Sequence, residues 1–483
     1  MIRFQPIAKV IGVILMVIGL LMPTGIFFSY TFESNDVLPL LYAGTITIFV
    51  GIVLFLLGRK SVTAVNKREG YLIVALAWVF MSIFGMLPYL FSGTIPNVTD
   101  AFFETISGMT TTGASILNDI ESMPEGILFW RSLTQWIGGM GIIVLTVALF
   151  PLLGIGGVEL FIAEAPGPTS DKLHPRIQET AKRLWFIYLG LTLLLTIILY
   201  FAGMTFYDAI NHALTTMATG GFSTKNASIA HYDTPLLQYP IIFFMFLAGT
   251  NYSVIYLSLL GKWKDIWKSE EFKTYLGFIA ILTIVVTLAV FYLTATPFEQ
   301  SFRDSLFQVV SLITTTGFVS ADYTAWAEPI TLIFFLLLFS GACAGSTSGG
   351  VKLVRHVVFF KKSFQEFKQL LHPNAIIPLR LNGQGVRPRI LMHILVFLMI
   401  YLLIFVIGTI AVCLTGMDIL SASGAVATSL GNVGPAIGDV GPTNNFADVP
   451  TAVKWILSFL MLVGRLELFT ILILFTPYFW RVN

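Results

Sequence analysis

"DAFFETISGMTTTGAS", Asp100 to Ser115, decides how this chain is read. Its first ten residues suit a helix, and its last six gather hydroxyls and a glycine that a helix accommodates poorly. Apolar runs of about 20 residues, the length that crosses a bilayer, lie on both sides. A helix from Asp100 to Met109 would measure about 15 Å, half a bilayer. It must stop in mid-membrane, where the backbone that follows is tolerated only if it lines an aqueous cavity. A lone "TTTG" is also readable as a surface turn or as the cap of the next helix.

Repetition decides between these readings. "DAINHALTTMATGGFS" starts at Asp208, "DSLFQVVSLITTTGFVS" at Asp304 and "DILSASGAVATSLGNVG" at Asp418. In all four a glycine follows the aspartate by 13 residues: Gly113, Gly221, Gly317 and Gly431. The starts are separated by 108, 96 and 114 residues. Each piece follows one apolar span and precedes another, so the unit is span, re-entrant piece, span. The aspartates suit N-caps, at the positive ends of the helix dipoles, with the C-termini aimed at the membrane centre. Around one axis, the four loops would place Thr110, Thr111, Thr112 and Gly113 beside Thr219, Gly220 and Gly221, then Thr315, Thr316 and Gly317, then Ser429, Leu430, Gly431 and Asn432. Backbone carbonyls so arranged can replace the hydration shell of a monovalent cation. Glycine permits the positive φ that turns consecutive carbonyls inward.

Composition agrees with a membrane location. Of 483 residues, 56% are hydrophobic and 11% charged, against roughly 25% charged in soluble domains. The first apolar stretch, Val10 to Tyr30, reads as a retained helix rather than a cleaved signal. Apolar segments recur at 10–29, 38–58, 71–92, 129–153, 183–203, 236–260, 274–295, 329–355 (interrupted), 390–415 and 452–480. The expected architecture is an all-α polytopic membrane protein. Four pseudo-symmetric span–pore loop–span units surround one central ion pore, preceded by two extra transmembrane helices. The divisions are 1–70 for those two helices, then 71–155, 183–262, 274–360 and 390–483 for the units. Bases gather after the second and sixth spans and from Lys352 to Arg389, which places these loops and the N-terminus in the cytoplasm by the positive-inside rule. Acids dominate the opposite loops and would attract cations.

Two features interrupt later spans. "FSGACAGSTSGG", Phe339 to Gly350, contains only small residues after its first position. It reads either as close helix packing or as an intramembrane loop under the filter, a gate carried by Gly341, Ala342, Gly345, Ser346, Gly349 and Gly350. Arg465, in "MLVGRLELFT", lies twelve residues into the last apolar span. A mid-membrane arginine is expensive and marks either function or a structural ion pair, with Glu467 of a neighbouring unit or with buried carbonyls. Near a cation path it could raise the barrier to ions and hold the small-residue loop. Glu104, His212 and Gln308 share a register four residues after their aspartates and are expected to hydrogen-bond behind the filters.

Cys343 and Cys413 define neither a disulfide framework nor a metal site. No catalytic constellation, voltage-sensor arginine ladder or nucleotide-binding motif is present, and neither an enzyme nor a nucleic-acid partner is expected. The units run in parallel from the same side, which favours a channel-like path over alternating access by inverted repeats. A symporter coupling potassium to protons or sodium is the alternative.

Together, "TTTGAS", "ATGGFS", "TTTGF", "SLGNVGP", "GACAGSTSGG" and "GRLELFT" resemble the TrkH/TrkG–KtrB–HKT superfamily of potassium transporters. The two extra spans at the start fit the bacterial TrkH/TrkG branch. The resemblance covers essentially the whole chain. It implies potassium uptake through a single-chain pore with one filter glycine per unit, gated by the small-residue loop with Arg465 beneath the filter. It also implies a multi-pass protein of the bacterial inner membrane, in contact with lipid, and a homodimer. A cytoplasmic dinucleotide-binding ring protein responsive to ATP, ADP or NAD would regulate it. Potassium would be cargo, with no tightly bound cofactor. The basic stretch from Lys352 to Arg389 offers either a landing surface for such a partner or simple membrane-surface charge.

Overall fold

The computed structural model describes residues 2–59, 66–144, 177–375 and 377–481. The main helices, in chain order, are α1 (Phe4–Leu21), α2 (Val37–Gly58), α3 (Lys67–Gly85), α4 (Val98–Met109), α5 (Glu125–Val144) and α6 (Ile177–Phe201). They continue with α7 (Phe206–Met217), α8 (Pro235–Ala248), α9 (Tyr252–Leu259), α10 (Glu270–Thr294), α11 (Phe298–Ile313) and α12 (Glu328–Leu337). The last are α13 (Leu353–Leu371), α14 (Pro388–Cys413), α15 (Ile419–Gly431), α16 (Thr451–Arg465) and α17 (Phe469–Leu472). Among the described residues, strand is confined to a small hairpin, β1 (Arg380–Leu381) paired with β2 (Gln384–Gly385).

Among the described residues, six helices are long and apolar enough to cross a bilayer: Phe4–Thr31, Val37–Gly58, Lys67–Ser92, Lys182–Phe201, Glu270–Thr294 and Pro388–Cys413. The chain is thus an all-α polytopic membrane protein. Two further apolar runs are broken where the sequence reads as continuous. The run 236–260 bends by 107° between α8 and α9, and the run 452–480 bends by 111° between α16 and α17. At the first break a Cβ on Gly249 would lie 2.6 Å from the Tyr275 hydroxyl and 2.7 Å from Thr314 Cγ2. Asn251 then caps α9 by accepting from Ser253 N–H at 2.8 Å. At the second break Glu467 and Leu468 take φ of 54° and 51°, a backbone strained by roughly 1–3 kcal/mol per residue. The end of the run 129–153, and with it the end of the first unit, lies outside the described residues.

Between these long helices lie the four short ones, α4, α7, α11 and α15. Twelve residues make α4 about 18 Å long, enough to reach only part-way through the bilayer. Their N-caps correct the expected role of the aspartates. Asn97 caps α4 and Thr205 caps α7, while α11 begins at Phe298 after Pro297. Only Asp418 is itself a cap, accepting from Ser421 N–H at 3.0 Å. Asp100 instead accepts from Lys454 at 2.7 Å, and Asp208 from the Thr224 hydroxyl at 2.6 Å.

The buried side chains form two large clusters. One joins α1–α4 and much of α5 to α14–α17, and the other joins α6–α12. Helices α1 and α2 touch backbone to backbone: a Cβ on Gly12 would lie 2.6 Å from Gly51 O, and one on Gly51 2.8 Å from Gly12 O. Close approach of this kind replaces a hydrophobic driving force, which is absent between helices in lipid. Gly51→Val should separate the pair and cost about 1–3 kcal/mol. The expected outcome is a lower melting temperature in detergent, and an unchanged one would contradict the contact.

Candidate functional site

All four short helices end in one backbone motif. Thr112 N–H reaches Ser107 O at 2.8 Å and Thr111 N–H reaches Gly108 O at 2.9 Å. The corresponding pairs are Gly220 to Thr215 and Thr219 to Thr216, then Thr316 to Ser311 and Thr315 to Leu312, then Val433 to Thr428 and Asn432 to Ser429. This is the Schellman end, which satisfies orphan carbonyls by means of one left-handed residue. Here that residue is Thr111, Thr219, Thr315 or Asn432, with φ of 53°, 53°, 55° and 53°. A β-branched threonine seldom adopts this conformation.

Two residues later stands a glycine at positive φ: Gly113 (83°), Gly221 (78°), Gly317 (78°) and Gly434 (106°). The register expected for the fourth unit is therefore corrected. Gly431 closes α15 in helical backbone, together with Ser429 and Leu430, and Gly434 takes the position that matches the other three glycines. From the aspartate to the left-handed residue the count is 11 in the first three units (100 to 111, 208 to 219, 304 to 315) and 14 in the fourth (418 to 432). The difference lies in where the aspartate stands: Asp100 and Asp208 are three residues past their caps, Asn97 and Thr205, whereas Asp418 is itself the cap, so the count from cap to left-handed residue is 14 in the first, second and fourth units.

These glycines meet in cyclic order. A Cβ on Gly113 would lie 2.2 Å from Gly220 O, one on Gly221 2.1 Å from Thr316 O, one on Gly317 1.9 Å from Val433 O, and one on Gly434 2.7 Å from Thr112 O. No side chain fits at any of the four. The carbonyls of Thr112, Gly220, Thr316 and Val433 thus each abut the glycine of an adjacent loop, and the circle closes. The segments beyond the glycines are tied in the same order. Ile120 N–H donates to Asn226 Oδ1 at 2.7 Å, Ala230 N–H to Val319 O at 3.0 Å, the Tyr323 hydroxyl to Ala436 O at 2.7 Å, and Phe446 N–H to Ser115 O at 2.8 Å.

Polar side chains brace the loops from behind. Glu104 and Arg131 form an ion pair at 2.7 Å, both almost wholly buried. Glu104 also accepts from Ile116 N–H at 2.9 Å, and Arg131 donates to Ser223 O at 3.0 Å. The Arg131 guanidinium stands 3.5 Å over the Phe222 ring. His212 pairs with the Ser223 hydroxyl at 2.9 Å. Gln308, with its amide oxygen turned to the loop, accepts from Ser320 N–H at 2.7 Å. Gln135 donates to Gly220 O at 2.6 Å and accepts from Phe222 N–H at 3.0 Å. Asn432 donates to the Thr112 hydroxyl and to Met461 O. The Thr110 hydroxyl bonds back to Ile106 O at 2.6 Å and contacts that of Thr112 at 2.8 Å. Arg131 and Gln135 are absent from the sequence candidates. Their available signal is a charged or amide side chain inside an apolar span.

The small-residue segment forms a buried irregular loop between α12 and α13, pressed against the lower ends of these motifs. Gly349 N–H donates to the Thr315 hydroxyl at 2.7 Å, and a Cβ on Gly349 would lie 2.7 Å from Asn432 Cβ. Thr347 Oγ1 lies 3.4 Å from the Thr219 hydroxyl and 3.0 Å from Met217 O. Cys343 N–H donates to Gly249 O at 3.0 Å, so the loop satisfies a carbonyl released where α8 breaks. Within the loop, Gly341 N–H reaches Val351 O, Ala342 O accepts from Leu353 N–H, and the Ser346 hydroxyl reaches Cys343 O. Gly345 and Gly350 take positive φ. Arg465 is buried and donates to Thr347 O at 2.8 Å and to Gly138 O at 3.1 Å. It thus grips the loop through a carbonyl, while Glu467 pairs with Arg355 of α13 instead.

Fold and site together define a helical membrane protein in which the ends of four short helices join in one ring, with an irregular loop packed against them. The family described as TrkH, cation transport protein, matches residues 40–481, and this chain belongs to it. It is a transport family rather than an enzyme family. The potassium uptake protein TrkH of the Trk system in Salmonella typhimurium is 42% identical, over 99% of this chain and 100% of its own. Its TrkG counterpart in Escherichia coli is 34% identical, over 88% and 87%. The crystal structure of the potassium transporter TrkH from Vibrio parahaemolyticus superposes with a TM-score of 0.90 at 36% identity, covering 99% of this chain and 100% of that one.

Glu104→Ala would leave Arg131 buried without its carboxylate, at a cost of about 3–5 kcal/mol. A clear fall in the detergent melting temperature is expected. An unchanged value would remove this pair from the braces of the ring.

Proposed function

We propose that this protein takes up potassium through a channel-like path on the axis of the four loops. The observation that carries the reading is the closed circle in which Gly113, Gly221, Gly317 and Gly434 each abut a carbonyl of the adjacent loop. Oxygens so fixed can substitute for water around a dehydrated monovalent cation. The braces keep them from collapsing onto a smaller ion or spreading for a larger one. The names of the relatives, potassium uptake proteins of the Trk system, support potassium as the cargo.

The loop from Gly341 to Gly350 is the gate in this reading, and Arg465 is its clamp. Hydrogen bonds from Arg465, Thr315 and Gly249 hold it under the ring. Each contributes about 0.5–1.5 kcal/mol, or more where charged, so a regulatory contact worth a few kcal/mol can shift the loop. The fixed charge of Arg465 beneath the ring also raises the barrier to cations while the loop is in place.

The four units are assigned to 71–155, 183–262, 274–360 and 390–483, behind two N-terminal helices over 1–70. The face bearing Lys361, Lys362, Lys368 and Arg380 is assigned to the cytoplasm of a bacterial inner membrane, with the N-terminus on the same side. A homodimer and a cytoplasmic dinucleotide-binding ring protein, responsive to ATP, ADP or NAD, complete the proposal. Its support is the resemblance together with α13, whose Phe360, Phe364, Phe367, Leu370 and Leu371 are exposed beside these bases.

Flux into liposomes with potassium as the only permeant ion, and no sodium or pH gradient, tests the path. Uptake is expected, and its absence would favour the coupled symporter. Gly113→Ser and Gly434→Ser should both raise sodium permeation relative to potassium. If Gly434→Ser left the ratio untouched while Gly113→Ser changed it, the fourth carbonyl would lose its place in the filter. Deleting Gly341 to Gly350, or Arg465→Ala, should raise basal flux, and no change would count against the gate.

A further inference from the structure

Arg465 and Thr315 hold the small-residue loop from the side of the ring. A second hold comes from the basic face. Glu271, in the first turn of α10, accepts from Ala344 N–H at 2.7 Å. Ala344 lies in the first half of the loop. The Glu271 side chain therefore fastens a segment that has no helix of its own to satisfy its N–H groups. A hydrogen bond from a backbone amide to a carboxylate is charge-assisted, and among the stronger of its kind.

The neighbouring residue points to a different partner. Glu270 N–H donates to Asn382 Oδ1 at 2.7 Å, and the Glu270 carboxylate pairs with Lys361. Asn382 sits at the turn of the β1–β2 hairpin with φ of 51°, and Lys361 also donates to Arg380 O at 3.0 Å. Asn382, Gly383, Gln384 and Gly385 are exposed. Two adjacent residues of one helix thus touch an exposed hairpin on one side and the buried loop on the other.

We propose that Glu271 is the positioning residue that keeps the loop closed from the basic face, and that the Glu270–Asn382 contact passes to it a force applied at the hairpin. This rests on the reading of the loop as a gate. A contact that moves the hairpin would shift the start of α10 and withdraw the acceptor from Ala344. The two-state element is the loop, and what both sides bias is its hold on Glu271.

The test uses the full chain with Cys413→Ser, so that the buried Cys343 of the loop is the remaining thiol. Potassium flux is measured in liposomes, and the rate at which Cys343 reacts with a maleimide is measured in detergent. Glu271→Ala should raise both by on the order of tenfold, as expected for losing one charge-assisted hydrogen bond. Glu271→Gln, which keeps a carbonyl acceptor for Ala344, should stay close to the parent in both. Asn382→Ala, at the exposed hairpin, should raise both by a smaller factor. Parent-like flux and labelling in Glu271→Ala, with Arg465→Ala still raising flux, overturn the role of Glu271 and leave the gate standing. If Arg465→Ala and the loop deletion also leave flux unchanged, the gate reading itself falls. Should Glu271→Ala fail to fold, parent-like flux and labelling in Asn382→Ala overturn the proposal.

Discussion

A backbone that leaves its helix inside a membrane must find every hydrogen-bond partner within the protein. The four short helices meet this constraint with one device, the Schellman end, and the rest of the site follows from it. The device requires a left-handed residue, and that residue turns the chain so that the next carbonyl faces sideways into the adjacent loop. Each loop then needs a glycine where its neighbour's carbonyl arrives. A side chain at Gly221 would strike Thr316 O, and one at Gly317 would strike Val433 O. The circle of carbonyls is thus the consequence of four helix ends solving the same backbone problem, each at the expense of the next.

Such a circle has no stiffness of its own. Its rigidity comes from side chains that would be costly in lipid and are affordable here because they complete one another. Arg131 neutralises Glu104 and reaches across to Ser223 in the second unit. Gln135 uses both ends of its amide on the second loop. A buried pair of this kind adds little net stability against an apolar pair of the same volume. What it adds is placement, since the two partners also hold backbone atoms just past the glycines of two loops, Ile116 N–H and Ser223 O.

The four-unit plan is legible in the sequence because polar, glycine-bearing pieces interrupt apolar spans at intervals near 100 residues. The bent spans are not. Pro235–Ala248 and Tyr252–Leu259 together read as one apolar run, since hydropathy carries no sign of a turn that Gly249 and Asn251 make locally. The place of Gly434 in the circle is hidden for a different reason. Counting from the aspartate assumes that it sits at the same place in each helix, whereas Asp100 and Asp208 stand three residues past the caps Asn97 and Thr205 and Asp418 is itself the cap. The spacing that survives is between the left-handed residue and its glycine: Thr111 and Gly113, Thr219 and Gly221, Thr315 and Gly317, Asn432 and Gly434. That spacing is set by the geometry of one turn, whereas the distance to the aspartate depends on where the helix happens to begin.

The asparagine at the end of α15 bears on the loop beneath. Where the first three units present a threonine at the helix end, the fourth presents Asn432, and its amide is held by the Thr112 hydroxyl and Met461 O. Gly349 packs against this asparagine and against Gly431 O, leaving no room for a side chain. The loop is therefore seated on two unlike surfaces, hydroxyls that bond to it at Thr219 and Thr315 and a rigid amide that only bounds it. Packing bounds the loop at Asn432, and hydrogen bonds tie it to Thr315 and Arg465. Its other ties, Cys343 N–H to Gly249 O and Ala344 N–H to Glu271, lie where α8 is broken and at the start of α10.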